Sequence, residues 1–264
     1  MPRLVALTRD VSPAIAQCEL THLSRVAIDL DKARAQHEDY ERALSTLGCA
    51  VHRLASGPGM PDSVFIEDTA IVLDELAIVT RLGAESRRVE CAAVESALSP
   101  YRTIARIDPP GALDGGDVLV AGRSIFIGLS NRTNHVAVEQ VRTLTAPFRY
   151  SVQPVSVTGC LHLKSAVTAA GENTLLMNRA WAPADVFRTF DIVDAHPSEP
   201  YAANIVRVGD GLLYPAAFPR TRDRLEGRGF RVTTIDVSEL AKAEGAVTCC
   251  SLIFQSRGRH GVMG

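Results

Sequence analysis

The sequence predicts an α/β protein in which five similar strand–strand–helix–strand units close into one propeller-like domain. Pairs of short apolar strands recur, and the first strands of four pairs begin near residues 69, 117, 165 and 204, in steps of about 48, 48 and 39 residues. The two ends of the chain supply a fifth unit. Because such units do not bury their apolar faces alone, we expect a single ring-shaped domain over residues 1–264.

The strand pairs are recognised as short apolar runs on either side of a turn. They cover residues 69–73 with 77–80, 117–121 with 124–128, 165–169 with 174–177, and 204–208 with 212–214. Gly122, Gly171 and Gly209 lie in the turns of the last three pairs.

Each pair is followed by a stretch with apolar residues at helical spacing, and three of these stretches lead to a further strand. The predicted helices are 86–98, 134–144, 184–190 and 221–227, and the further strands are 103–107, 152–157 and 230–235. For the fifth unit we predict strands 251–254, 4–8 and 49–54, with a helix over 32–47.

Composition excludes several classes of protein. The net charge of −2 and the absence of a basic tract argue against a nucleic-acid partner. No apolar stretch has the length of a membrane span, and the N-terminus lacks the pattern of a signal peptide, so we expect a cytoplasmic protein without membrane contact. Six cysteines without a C-x-x-C pair indicate neither a zinc site nor a disulfide framework.

The repeat places reactive side chains at equivalent positions. Glu67-Asp68, Asp114, His162 and Cys249 each come shortly before the first strand of a unit. Equivalent positions in a ring face the same axis, so we expect these groups to meet in one pocket. The fourth unit has Asn204 at this point, where we expect no active role.

This set suggests covalent catalysis through sulfur. A lone cysteine is more often a plain buried thiol, but the register of the repeat favours a nucleophile here. Strand alternation allows only one of Cys249 and Cys250 to point inward, and the residues alone do not choose between them. His162 suits general acid–base work near neutral pH, and Asp114 is placed to orient it.

Charged residues near these positions suggest the substrate's chemistry. Asp62, Glu67 and Asp68 would need a cation if they point inward, and a guanidinium matches paired carboxylates through its N–H donors. Arg87 and Arg132 open predicted helices and would suit a substrate carboxylate. A metal site is the rival use of Cys, His and Asp, but the groups lie about 50 residues apart rather than in the local pairs of zinc sites.

At these residues the chain resembles the dimethylarginine dimethylaminohydrolases, members of the guanidine-modifying (pentein) superfamily. The motifs that carry the likeness lie in residues 61–68, 80–88, 113–134, 161–165 and 245–251, and the likeness runs through most of the chain. The resemblance implies the pentein fold, a five-bladed ββαβ propeller with pseudo-fivefold symmetry, in agreement with the repeat.

The resemblance also implies roles for individual residues. Cys249 is the expected nucleophile, His162 the general acid and base, and Asp114 its partner, where some relatives have glutamate. The expected substrate contacts are Glu67 and Asp68 at the guanidinium, Asp62 at the α-amino group, Arg87 and Arg132 at the α-carboxylate, Leu20 in a lid, and Ala243.

The activity so implied is hydrolysis of Nω-methylated L-arginine to L-citrulline and a methylamine, through a thiouronium on Cys249. We expect no metal or other cofactor, a small-molecule substrate as the partner, and a monomer or homodimer. Family membership also suggests a role in arginine metabolism and nitric-oxide regulation. The alternatives are a related hydrolase of arginine or another guanidino acid, and a catalytically silent binder of arginine-like ligands.

Overall fold

The computed structural model describes residues 3–57 and 59–256, which form fifteen strands and six α-helices. The strands are β1 (Arg3–Arg9), β2 (Cys49–Leu54), β3 (Ala70–Val72), β4 (Leu76–Val79), β5 (Thr103–Arg106), β6 (Val118–Ala121), β7 (Ser124–Leu129), β8 (Ser151–Ser156), β9 (Val167–Ala169), β10 (Thr174–Met177), β11 (Asp191–Asp194), β12 (Val206–Val208), β13 (Gly211–Pro215), β14 (Arg231–Ile235) and β15 (Leu252–Ser256). The helices are α1 (Leu30–Thr46), α2 (Cys91–Leu98), α3 (His135–Thr145), α4 (Leu163–Ala166), α5 (Pro219–Glu226) and α6 (Ser238–Ala241).

The strands form five sheets of three, all with the same pattern. The orders are β15-β1-β2, β3-β4-β5, β6-β7-β8, β9-β10-β11 and β12-β13-β14. In each sheet the first strand is antiparallel to the second, and the second is parallel to the third. The predicted α/β class and the division into five strand groups are therefore confirmed.

Burial explains why these segments form strands. The middle strands β4 and β13 are buried along their whole length and are correspondingly apolar. The third strands β5, β8 and β14 are largely exposed and carry polar side chains. Helix α1 begins where the Asp29 side chain accepts a hydrogen bond from the Lys32 backbone N–H, and it buries Tyr40 and Leu44 completely.

The first strands of the five sheets lie side by side. β15 contacts β3, β6 contacts β9, and β9 contacts β12. A cavity of about 270 Å³ is lined by one or more residues of every first strand, among them Ile71, Leu119, Thr168, Val206 and Ile253. The five first strands therefore surround a common space.

A single helical turn precedes four of the first strands. These turns are Ile66–Thr69, Gly115–Asp117, α4 and Thr248–Cys250. The prediction that a strand begins at residue 165 was wrong for this reason, because Ser165 and Ala166 belong to α4. The turns contain Glu67, Asp68 and Cys249 and directly follow Asp114 and His162, so they position the candidate site.

Other boundaries also differ from the prediction. The predicted helix 86–98 begins as a 3₁₀ turn over Glu85–Glu90, and that over 184–190 is only a 3₁₀ turn over Ala184–Phe187. Strand β11 was not predicted, because Asp-Ile-Val-Asp is too short and polar to stand out, and neither was α6. Within the described residues, no helix has the length and apolar character needed to cross a membrane.

Candidate active site

The helical turns before the first strands lie against one another. The turn Ile66–Thr69 contacts both Gly115–Asp117 and Thr248–Cys250, and α4 contacts Gly115–Asp117. As a result, a small cavity is lined by Asp68, Asp114, His162 and Cys249. The equivalent positions of four sheets thus supply groups to one place.

Two glycines allow the turns to approach so closely. A Cβ on Gly115 would lie 2.1 Å from the carbonyl oxygen of Glu67. A Cβ on Gly116 would lie 2.5 Å from Nδ1 of His162 and 2.9 Å from Oδ1 of Asp68. The two glycines that follow Asp114 are therefore a requirement of the site's packing.

His162 is buried between two carboxylates. Its Nε2 lies 3.2 Å from Oδ2 of Asp114, and its Nδ1 lies 3.9 Å from Oδ1 of Asp68. Burial lowers the pKa of His162, but the charge of Asp68 and the hydrogen bond with Asp114 outweigh it and raise the pKa to about 9. The imidazole is therefore protonated at neutral pH and can donate a proton.

Asp114 is itself held in place. Its Oδ1 accepts a hydrogen bond from the Gly83 backbone N–H at 2.8 Å, and its own N–H donates to Oγ1 of Thr133 at 3.2 Å. Thr133 in turn donates to Asp117, which is completely buried and also accepts from the Leu163 N–H. The Asp117 carboxylate therefore fixes both Leu163, which follows His162, and Thr133, which holds Asp114. No sequence pattern indicated this role of Asp117.

Asp68 is shared between the site and Arg87. Its Oδ2 lies 2.7 Å from Nη1 of Arg87, and its Oδ1 accepts from the Gly116 N–H at 3.0 Å. Burial raises the pKa of Asp68, but His162 and Arg87 together lower it below its ordinary value. Arg87 is also paired with Glu90 at 3.0 Å. The arginine that we expected to bind the substrate carboxylate is therefore paired with two buried carboxylates of the protein itself.

The Cys249 thiol is partly exposed to the cavity, whereas Cys250 is completely buried in the apolar core. The structure therefore places Cys249 at the cavity and turns Cys250 away. Sγ of Cys249 accepts a hydrogen bond from the Ala246 N–H at 3.4 Å. Burial raises the pKa of the Cys249 thiol, and the charges of Glu67 and Asp68 add to this effect, to about 12. The resting thiol is neutral.

Glu67 faces the central cavity rather than the candidate site. Its Oε1 lies 2.5 Å from Nζ of Lys164, and its Oε2 accepts from Oγ1 of Thr248 at 2.7 Å. It lines the 270 Å³ space between the first strands, together with Lys164 and Thr248. Its expected contact with the guanidinium stays a prediction.

A segment around residue 20 covers the cavity. The Glu19 N–H donates to both Asp62 oxygens, at 3.1 and 3.2 Å, and burial raises the pKa of Asp62. Leu20 is half-buried and packs against the apolar cluster that contains Ala243, which lines the cavity. Nη2 of Arg132 donates to Oγ1 of Thr21 at 3.2 Å, and Arg132 also lines the cavity.

Glu244 fastens this segment. Its carboxylate accepts hydrogen bonds from the backbone N–H groups of Thr21, His22 and Leu23, at 3.1, 2.5 and 2.6 Å. Its φ of 59° lies in the left-handed region, which costs a residue with a Cβ about 1–2 kcal/mol. Sequence reasoning missed Glu244, because its partners are backbone groups of a distant segment.

The cavity's charges are unequal. Five carboxylates line it, from Glu19, Asp62, Asp68, Asp114 and Glu244, against three groups that carry positive charge, Arg87, Arg132 and His162. The surplus of negative charge suits a cationic ligand. Asp68, Asp114 and His162 also bring ligand atoms within 4.8 Å of one another, and the cation that these two carboxylates hold is the protonated His162 itself.

Comparisons with known proteins agree with this chemistry. The sequence model of the family described as "N,N dimethylarginine dimethylhydrolase, eukaryotic" matches residues 18–176. The N(G),N(G)-dimethylarginine dimethylaminohydrolase of Streptomyces coelicolor is 38% identical over 96% of this chain and 97% of its own length. The chain belongs to the dimethylarginine dimethylaminohydrolase family.

Further members support the assignment. The dimethylarginine dimethylaminohydrolase of Pseudomonas aeruginosa is 36% identical over 86% of this chain and 90% of its own length. The solved structure of a cysteine-to-serine mutant of that enzyme, complexed with citrulline, has a TM-score of 0.91, 32% identity, and covers 96% of this chain and 100% of its own. The N-terminal domain of the arginine dihydrolase ArgZ, at 17% identity and a TM-score of 0.86, shares the fold.

In this dimethylarginine dimethylaminohydrolase family member the space inside the site is small. The cavity has a volume of about 20 Å³, which holds about one water molecule. Hydrogen bonds to Asp62 and Glu244 fasten the segment that begins at Glu19, which lines this cavity. Release of these bonds would widen access to the cavity.

Proposed function

We propose that the protein hydrolyses Nω-methylated L-arginine to L-citrulline and a methylamine. The observation that carries this proposal is the cavity in which a partly exposed Cys249 thiol meets a buried, protonated His162 and a surplus of carboxylates. The relatives from S. coelicolor and P. aeruginosa, which are named for this activity, support it.

The fold is proposed to be a five-bladed ββαβ propeller, the pentein fold, formed by a single domain over residues 1–264. Each three-stranded sheet is one blade, and the shared cavity between the first strands marks the axis. Residues 1–2, 58 and 257–264 lie outside the described residues.

The substrate's three charged groups are assigned to three parts of the site. The guanidinium lies beside Asp68, with Glu67 behind it, and the α-amino group lies at Asp62. Arg132 binds the α-carboxylate, since its only described side-chain bond is to a Thr21 hydroxyl. Arg87 contributes its charge to the same carboxylate from its place between Asp68 and Glu90. Leu20 and Ala243 enclose the aliphatic chain.

The reaction begins with ionisation of the thiol. The raised pKa of Cys249 keeps the free enzyme's sulfur neutral, and a bound guanidinium cation lowers that pKa so that the proton leaves to water. The thiolate then attacks the guanidinium carbon, forming a C–S bond. His162, protonated in the resting state, donates its proton to the methylated nitrogen as the C–N bond breaks.

Release of citrulline uses the same histidine in the opposite sense. After the methylamine leaves, a thiouronium remains on Cys249 and His162 is neutral. His162 takes a proton from a water molecule, whose oxygen attacks the thiouronium carbon. The C–S bond breaks, citrulline leaves, and the sulfur and imidazole regain their initial states. Asp114 holds the ring in one orientation through both steps.

A citrulline assay tests the proposal. Asymmetric dimethylarginine, monomethylarginine and arginine are supplied separately, and citrulline and the released amine are measured together. We expect equal amounts of citrulline and methylamine from a methylated substrate. Preference for arginine or another guanidino acid would replace the substrate but keep the chemistry, whereas binding without citrulline would indicate a silent binder.

The remaining expectations concern the cell and the assembly. We propose a monomer or homodimer that acts in the cytoplasm, in arginine metabolism and nitric-oxide regulation. Light scattering of the purified protein measures its mass in solution and so tests whether it is a monomer or a homodimer.

A further inference from the structure

Asn204 occupies the position in the fourth unit that is equivalent to the reactive positions of the others, and it is buried, with 3% of its surface exposed. Its side-chain amide makes three hydrogen bonds. Oδ1 accepts from the Thr248 backbone N–H at 3.0 Å, and Nδ2 donates to Oγ1 of Thr248 and to the carbonyl oxygen of Lys164, both at 3.0 Å. The residue that appeared inert in sequence therefore has every side-chain hydrogen-bonding atom engaged.

These bonds close a ring through four residues, in which Asn204 contacts the main-chain carbonyl of Lys164. Thr248 donates from Oγ1 to Glu67, and the ammonium group of Lys164 bonds the other oxygen of the same carboxylate. Glu67, Lys164, Asn204 and Thr248 come from four different strand–strand–helix–strand units. Four of the five units are thus linked to one another by buried or half-buried polar contacts.

Each member of the ring except Asn204 lies within two residues of a group that the proposed function uses. Thr248 directly precedes Cys249, Lys164 follows His162 by two residues, and Glu67 directly precedes Asp68. We propose that Asn204 is a positioning residue, which fixes the Cys249 turn relative to the turn that carries His162. The assignment rests on the proposed function for the meaning of the positions, since Asn204 itself does not line the candidate cavity.

The bonding pattern explains why an amide is needed. The side chain at position 204 must accept one hydrogen bond, from the Thr248 N–H. It must also donate two, to the Thr248 hydroxyl and to the Lys164 carbonyl. Aspartate has the same shape but supplies no donor, and it places a second negative charge close to Glu67. Alanine leaves the buried Thr248 N–H and the Lys164 carbonyl unpaired, which is costly in a buried place.

The test compares Asn204→Asp and Asn204→Ala with a matched control, Asn178→Asp. Asn178 has the same kind of amide pattern, accepting from the Ala180 N–H and donating to the Pro200 carbonyl, but its side chain bonds to neither the Cys249 turn nor the turn that follows His162. Citrulline formation gives kcat and KM. The rate of iodoacetamide attachment to Cys249 is measured separately against pH, by mass spectrometry of the peptide that contains it.

We expect both Asn204 variants to lower kcat by about tenfold to a hundredfold with KM little changed, because a small displacement of the nucleophile slows attack without removing a substrate contact. In Asn204→Asp the alkylation profile should also shift to higher pH, since the added charge disfavours the thiolate. Asn178→Asp should match the wild type in both assays.

Wild-type kcat and an unshifted alkylation profile in the Asn204 variants would overturn the proposal. If neither variant folds, Thr248→Val and Thr248→Ser replace them: the serine variant keeps the hydroxyl of the ring and should retain more activity than the valine variant, and equal activities would contradict the proposal. Absence of citrulline from the wild type would refute the proposed function alone, because the alkylation measurement needs no substrate.

Discussion

The imidazole of His162 and the carboxylate of Asp114 form a buried pair, with Nε2 3.2 Å from Oδ2. The two side chains are 7% and 1% exposed, so water screens their interaction little. Asp68 approaches the other ring nitrogen at 3.9 Å. The folded protein therefore holds a histidine cation between two carboxylates, and both its stability and its chemistry depend on that charge.

The first prediction concerns stability against pH. The pKa of His162 is about 9 in the folded protein and about 6.5 when unfolded, so the stabilisation is fully present below pH 6.5 and is lost as pH rises toward 9. The free energy of unfolding in urea should fall by up to about 3 kcal/mol over this range. His162→Gln should remove the dependence between about pH 6.5 and 8, below the range in which unfolded cysteines ionise, and His52→Gln, at an exposed position, should keep it. An equal slope in wild type and His162→Gln would contradict the pairing.

Gly116→Ala should displace His162. The added Cβ would lie 2.5 Å from Nδ1 of His162, far inside normal contact distance, so the ring or the turn must shift. Citrulline formation should fall by about a hundredfold, since misplacement of a catalytic group by about 1 Å has effects of this size. Gly59→Ala, where nothing lies within 4 Å, is the control. Full activity of Gly116→Ala would show that the close approach is unimportant.

Removal of the Glu244 carboxylate should loosen the segment over the site. Glu244→Ala removes the acceptor of three backbone N–H groups, from Thr21, His22 and Leu23. Hydrogen exchange of these amides should accelerate by about tenfold or more, because a hydrogen bond to a charged group contributes about 1.5–3 kcal/mol. KM should rise as well, since the closed state then forms less readily around the substrate.

The control for this experiment is Glu172→Ala, in an exposed turn of the third unit. Glu244→Gln keeps one acceptor oxygen and should lie between the wild type and the alanine variant. Unchanged exchange at residues 21–23 in Glu244→Ala would show that Glu244 does not hold the segment.

The two adjacent cysteines should respond differently to substitution. Cys250→Ala creates a small cavity in the apolar core, where Cys250 is fully buried, and should cost about 1–2 kcal/mol of unfolding free energy while citrulline formation continues. Cys249→Ser should abolish citrulline formation with little change in stability. If Cys250 were essential for turnover and Cys249 were not, Cys250 rather than Cys249 would be the nucleophile.

The repeat in the sequence predicted the division into strand pairs and the register of the reactive positions. This worked because the apolar pattern of each first and second strand is strong and its spacing is regular, as in Ile71 and Ile78 of adjacent strands. Strand β11, with one apolar pair between aspartates, has no such pattern. Its strand structure depends on parallel pairing with β10, which is a tertiary contact.

The sequence predicted which residues of the site lie at equivalent positions of the repeat, but not the contacts that their side chains make. Register shows that Asp68, Asp114, His162 and Cys249 face one axis, but not where each side chain points. The ion pairs of Glu67 with Lys164 and of Arg87 with Glu90 could not be predicted, because no local sequence pattern indicates them.

The contributions of Asn204 and Glu244 were missed for a related reason. Both act through backbone groups of segments that are about 40 and 220 residues away in the chain.

The proposed covalent chemistry is tested most directly by acid quenching of the enzyme during turnover of asymmetric dimethylarginine, followed by mass spectrometry of the intact protein and its peptides. We predict a mass increase equal to the substrate minus dimethylamine, located on the peptide that contains Cys249 and absent from Cys249→Ser. Steady turnover by wild-type protein without this adduct, together with citrulline formation by Cys249→Ser, would contradict covalent catalysis by Cys249.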